Sequence, residues 1–130
     1  MATQQQWRWP INDDLSLLRR CVREHAAAAG LEAQRVGELV LAVYEAVANV
    51  LDHGGGTGTV SISRDSGHLI VDVVDRRGAL DAAHLPFAPP DPRAGRGAGL
   101  WVIGQVCDQV SVERQPGGSR IRMAMQLPLP

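Results

Sequence analysis

Glu45, Asn49 and His53 recur at every fourth position in the stretch EAVANVLDH. A helix advances about 100° per residue, so steps of four drift by about 40° and the three side chains share a sector about 80° wide. Val43 and Val47 centre the apolar side opposite them. A solvated face is the plain reading of such spacing, but it would be served as well by Glu or Arg, and Asn is a weak helix former. What Asn adds is a carbonyl oxygen for a hard cation, and Mg²⁺ takes one or two protein oxygens alongside phosphate and water. A carboxylate one turn earlier can orient or deprotonate an attacking hydroxyl.

Asp75 is the next residue with chemistry to offer. Along LIVDVVD it shares strand parity with Leu69, Val71 and Val73, which puts it on the packed face, whereas Asp72 has the opposite parity and is expected in solvent. A buried carboxylate without a partner is costly, so an Arg or a ligand donor must satisfy Asp75. GRGAG, Gly95 to Gly99, precedes a helical pattern, where free N–H groups and the positive helix end attract phosphate. Glycines that only let a helix pack closely would give the same string. No strand runs into them, which rules out a dinucleotide-binding fingerprint. All 13 basic residues are Arg, so a Walker-type loop and the lysine of eukaryotic-type protein kinases are excluded, and any basic side chain on a phosphate must be Arg.

These residues need elements to hold them. QQWRWP reads as a first strand, and INDDLSLLRRCVREHAAAAG as a helix capped by Asn12 or Asp13 and stopped by Gly30. A second helix runs from about Leu31 to His53, with Val36, Leu39, Val43, Ala46, Val47 and Val50 on one side and GGGTG ending it. TVSISR, QVSVER and RIRMAMQL alternate apolar and polar residues, the pattern of antiparallel strands with one packed and one wet face. HLIVDVVD is more continuously apolar and reads as a central strand, joined to its predecessor by a Ser66-Gly67 turn. Between Asp75 and Gly97 the chain loses periodicity and carries Pro86, Pro89, Pro90 and Pro92, so residues 76–96 are expected to form a lid or binding loop. GLWVIGQVCD supplies a short third helix. The resulting order predicts an α+β fold, a two-layer α/β sandwich with a mixed, mostly antiparallel sheet and helices on one face.

A chain of 130 residues suits one domain, 1–130, able to bury a proper core. Its 45% apolar content and net charge of -1 exclude disorder and argue against nucleic acid as a direct partner. Cys21 and Cys107 form no CxxC pair and read as lacking a His at metal-site spacing, so they are expected as buried free thiols. No stretch approaches the ~18 apolar residues of a membrane span and MATQQQWRWP lacks a signal core, so the expected location is cytoplasmic, away from membranes.

In order, E45-xxx-N49-xxx-H53, VVD ending at Asp75, GRGAGLW and GGSRIRM resemble the ATP-binding fold of the GHKL superfamily, which includes gyrase and histidine kinases. The likeness is strongest to its stand-alone bacterial branch, the anti-sigma-factor serine/threonine kinases, and covers nearly the whole chain. It implies ATP and Mg²⁺ as cofactors. Asn49 would hold the metal against the phosphates, Glu45 would accept the proton of the attacking serine, and Asp75 would take the adenine amine with Ser119 beside it. Gly95, Gly97, Gly99 and Leu100 would form the lid end and helix start near the phosphates, Arg93 or Arg96 would reach the terminal phosphate, and His53 would shape the site. The sequence departs from the family where Arg77 occupies the usual glycine position and Gly78 follows, which either crowds the adenine or shifts the loop by one residue. The implied partners are a sigma factor and a STAS-like anti-anti-sigma protein, with a homodimer left open. The competing expectation is a nucleotide-gated module that sequesters a partner without phosphotransfer.

Overall fold

The computed structural model describes residues 4–53, 56–78, 89 and 98–129, with 4–6, 53 and 98 given by their backbone alone. Five strands, β1 (Gln4–Pro10), β2 (Gly58–Asp65), β3 (His68–Asp75), β4 (Gln109–Gln115) and β5 (Gly118–Gln126), form a sheet in the order β1-β2-β3-β5-β4. The fold is α+β, as expected, and all four pairings are antiparallel. The apolar run HLIVDVVD is indeed the central strand. Three helices, α1 (Leu15–Ala28), α2 (Ala33–His53) and α3 (Ala98–Val106), complete the described elements.

The register arranges the helix-facing side of the sheet in rows. Trp9, Val60, Val73, Ile121 and Val112 are successive cross-strand neighbours, and Trp7, Ile62, Val71, Met123 and Val110 form the next row. Against them α1 buries Leu18, Val22 and Ala26, α2 buries Leu39, Val43, Ala46, Val47 and Val50, and α3 buries Ile103. Each such aliphatic side chain contributes about 1.5–3 kcal/mol on burial, so these rows and helix stripes are the main stabilising element. A third row, Gly58, Asp75, Ser119 and Arg114, closes the same face at its end and is polar.

Local chemistry explains the element ends. Asp14, rather than Asn12 or Asp13, caps α1: its Oδ1 accepts the Leu17 N–H at 3.1 Å, while Asn12 Oδ1 accepts the Asp14 N–H at 2.8 Å. The two upstream candidates are therefore part of the approach to the cap, not the cap itself. Gly30 stops the helix as expected, at φ +98. Ser66 and Gly67 turn β2 into β3 with φ of 51 and 81, the signs of a type I′ hairpin.

Two sequence expectations need correction. Asp72 is on the open face, but it is not simply solvated: Arg122 donates to its two oxygens at 2.8 and 3.0 Å, leaving the Asp72 side chain 13% exposed. Cys107 is buried, and burial pushes its thiol up to about 12, whereas Cys21 is only half-buried; both are free. Among the described residues no helix is long and apolar enough to cross a membrane.

The two helices that matter most for the site are joined by Arg35 near the start of α2. Its Nη1 donates to the Val106 carbonyl at the end of α3 at 2.8 Å, its Nη2 meets Asp108 Oδ2 at 2.8 Å, and Glu38 lies 3.4 Å away. Val106 and Asp108 are remote in sequence, so this guanidinium fastens the end of α3 and the start of β4 to α2.

Candidate functional site

Helix α2 carries its apolar stripe into the core and leaves Glu45 and Asn49 half-buried along its flank. Positions one turn apart on a helix bring their Cβ atoms to about 5–6 Å, so a carboxylate and an amide stand together here. Among the described residues neither side chain has a hydrogen bond or ion pair. His53 is the last residue of α2, and its side chain lies outside the described residues.

The start of α3 approaches this flank. A methyl group built on Gly99 would lie 2.5 Å from Glu45 Oε2, so the backbone there is seated directly on the carboxylate. Leu100, next along, is partly buried against the core and anchors the helix start. Arg93, Gly95, Arg96 and Gly97, with most of the expected lid 76–96, lie outside the described residues.

On the sheet beneath, Asp75 ends β3 on the face packed by α2 and is 5% exposed. Its Oδ1 accepts the Arg77 N–H at 2.8 Å. Its Oδ2 is buried and has no hydrogen-bond partner. Buried carboxylate oxygens are rarely left so, because an unmet acceptor costs about 1–3 kcal/mol. Among the described residues no Arg satisfies it. Ser119 is its direct cross-strand neighbour and is 2% exposed, which places a hydroxyl beside the carboxylate on the same face.

The turn after Asp75 answers the question raised by Arg77. Gly78 takes the left-handed conformation, φ +68, and its N–H donates to the Asp75 carbonyl at 3.2 Å. Arg77 is exposed and offers Asp75 its backbone N–H. The positive φ thus falls on Gly78, one residue after Arg77.

Two contributors escaped the sequence reading. Gly118 passes so close to β3 that a Cβ on it would strike the Asp75 carbonyl oxygen, at a φ of +141 that L side chains rarely adopt. Arg114, in the same row as Ser119, reaches within 3.4 Å of where a Gly78 Cβ would be and brings a cation to the edge of the row. Its parity with Val110 and Val112 in QVSVER was the available signal; the register that sets it beside Ser119 was not.

The arrangement joins a buried acceptor and a hydroxyl at one end of the sheet to an amide and a carboxylate on the overlying helix. Such a set can read the donor edge of a flat heterocycle at one end and handle a cation and a proton at the other. The unmet Asp75 Oδ2 fits a donor such as the adenine amine of ATP, and Asn49 offers an oxygen of the kind Mg²⁺ takes.

A family model described as a histidine kinase-like ATPase domain matches residues 10–125. No curated protein matches the chain significantly. Among solved structures 14 chains do. One belongs to the crystal structure of the SiaB-SiaC complex from Pseudomonas aeruginosa; it superposes with a TM-score of 0.66 at 18% identity, covering 93% of this chain and 91% of that one. At that identity the likeness is one of fold.

Proposed function

The chain belongs to the histidine kinase-like ATPase domain family, and from that premise we propose that it binds Mg-ATP and phosphorylates a serine or threonine of a partner protein, as an anti-sigma-factor-type kinase. The observation that carries the reading is the buried, unpartnered Asp75 Oδ2 beside Ser119. Mg-ATP, when bound, would supply the terminal phosphoryl group, which passes to the hydroxyl oxygen as its bond to the bridging oxygen breaks and ADP leaves. Asp75 Oδ2 accepts an N–H from the adenine amine, with the Ser119 hydroxyl alongside. Asn49 offers its carbonyl oxygen to the cation. Glu45, one turn away, takes the proton of the attacking hydroxyl. The start of α3 at Gly99 would bring backbone close to the phosphates; Gly97 and Arg93 or Arg96, which lie outside the described residues, are assigned to the phosphates by the family resemblance alone.

In this reading the protein works in the cytoplasm by partner switching. It holds a sigma factor and phosphorylates a STAS-like anti-anti-sigma protein, with self-association into a homodimer as a further option. A solved chain of like fold was crystallised in a two-protein complex, the SiaB-SiaC complex, which supports a protein partner.

The test is Glu45→Ala, assayed with candidate partners encoded nearby. Mg-ATP affinity is expected to stay close to that of the wild type while phosphotransfer falls about 10²- to 10⁴-fold, the contribution of a positioned base. Equal losses of affinity and rate would make Glu45 a binding residue instead. A wild type that binds both ATP and partner but never transfers phosphate would be a nucleotide-gated sequestering module.

A further inference from the structure

Residue 99 lies at the second position of α3, where a side chain would normally be harmless. Here the three nearest atoms to a Cβ at Gly99 all belong to one side chain: Glu45 Oε2 at 2.5 Å, Cδ at 3.3 Å and Cβ at 3.6 Å. The first two are tighter than ordinary contact. The clash falls on the end of a flexible side chain rather than on main chain, so an added methyl would be accommodated by swinging the carboxylate away. Helix α3 is poorly placed to retreat instead. Its far end is tied to α2 through Arg35 and the Val106 carbonyl, and its middle is fixed by Ile103, which is fully buried. Along α2 the stretch from Arg35 to Glu45 is about 15 Å, and along α3 the stretch from Val106 back to Gly99 is about 10 Å. The helices therefore run antiparallel, held at one end by a guanidinium and resting at the other on the carboxylate.

From this geometry we propose that Gly99 is a positioning residue for Glu45: the bare Cα at the start of α3 determines where the carboxylate sits. The inference rests on the reading of Glu45 as the base. Gly99 acts in it through steric fit, separately from any approach of its backbone to phosphate.

The experiment compares Gly99→Ala, Glu45→Ala, their combination, and Gly37→Ala as a control on α2, where a Cβ meets nothing within 4 Å. The Glu45 carboxylate carbon resonance, assigned by its loss in Glu45→Ala, should move in Gly99→Ala and stay in place in Gly37→Ala. Phosphotransfer to the partner protein should fall about 10- to 100-fold in Gly99→Ala, as expected for a displaced reacting group, and any loss of Mg-ATP affinity, read by calorimetry, should be smaller than the loss of rate. On the Glu45→Ala background, Gly99→Ala should cost nothing further. An unmoved resonance overturns the proposal, as does a loss of rate equally large without Glu45, which would place the role of Gly99 at the phosphates. A wild type that does not bind Mg-ATP would instead remove the kinase reading and the catalytic consequence, and the resonance would still decide whether Gly99 sets the carboxylate.

Discussion

Asp72 and Asp75 stand three residues apart in β3 and meet opposite surroundings, because a strand alternates its faces. Asp72 is held by Arg122 on the open side, and Asp75 ends with one oxygen bound to the Arg77 N–H and the other unmet. Replacing Asp75 by Asn puts an amide where a charged acceptor stood, and Mg-ATP affinity measured by calorimetry should fall about 10- to 100-fold, the worth of a hydrogen bond to a charged group. Asp72→Asn should leave that affinity unchanged and cost about 1 kcal/mol in a urea melt through the weakened bidentate pair. Strand parity made the burial of Asp75 legible in the sequence. The pairing of Asp72 was not, since Arg122 is 50 residues away and only the β3–β5 register brings them side by side.

Helix α2 is the element that presents the candidate metal and proton handlers, and its own stability is testable apart from them. Gly37 is exposed within its first two turns and has open space around it, so Gly37→Ala should raise stability by about 0.5–1 kcal/mol, seen as a higher melting temperature. Arg35, two residues earlier, works in the opposite sense. Its fork spans the Val106 carbonyl and Asp108, so Arg35→Ala should cost about 1–3 kcal/mol, and Arg35→Lys should recover part of that loss because a single ammonium cannot reproduce the planar fork. The helix was plain in the sequence from the spacing of Val36, Leu39, Val43, Val47 and Val50. Arg35 gave no such signal, because its partner Val106 is 71 residues away and a lone Arg on a helix flank reads as solvated.

Across the whole molecule the two thiols report on how tightly the layers close. Cys107 is buried with its thiol pushed up to about 12, chiefly by burial, and Cys21 is half-buried. A thiol reagent at pH 8 should therefore label Cys21 in the folded protein and reach Cys107 only on unfolding. The folded-state value lies above the ordinary 9.0, so the stability gained by keeping this thiol neutral is complete below about pH 9 and is lost as the pH rises toward 12. The drop in urea midpoint between pH 8 and pH 10 should accordingly be smaller in Cys107→Ala. The elements of the fold could be read from periodicity, but the strand order that inserts β5 between β3 and β4 could not, because cross-strand neighbours leave no local trace. That insertion has a consequence for how the site can change over generations. By bringing Gly118 against the Asp75 carbonyl, it builds one boundary of the polar row from main chain. Such a wall exposes no side chain for substitution to act on, so within the described part of this row gradual change over generations is left to Asp75, Ser119 and Arg114, and Gly118 itself is closed to any side chain.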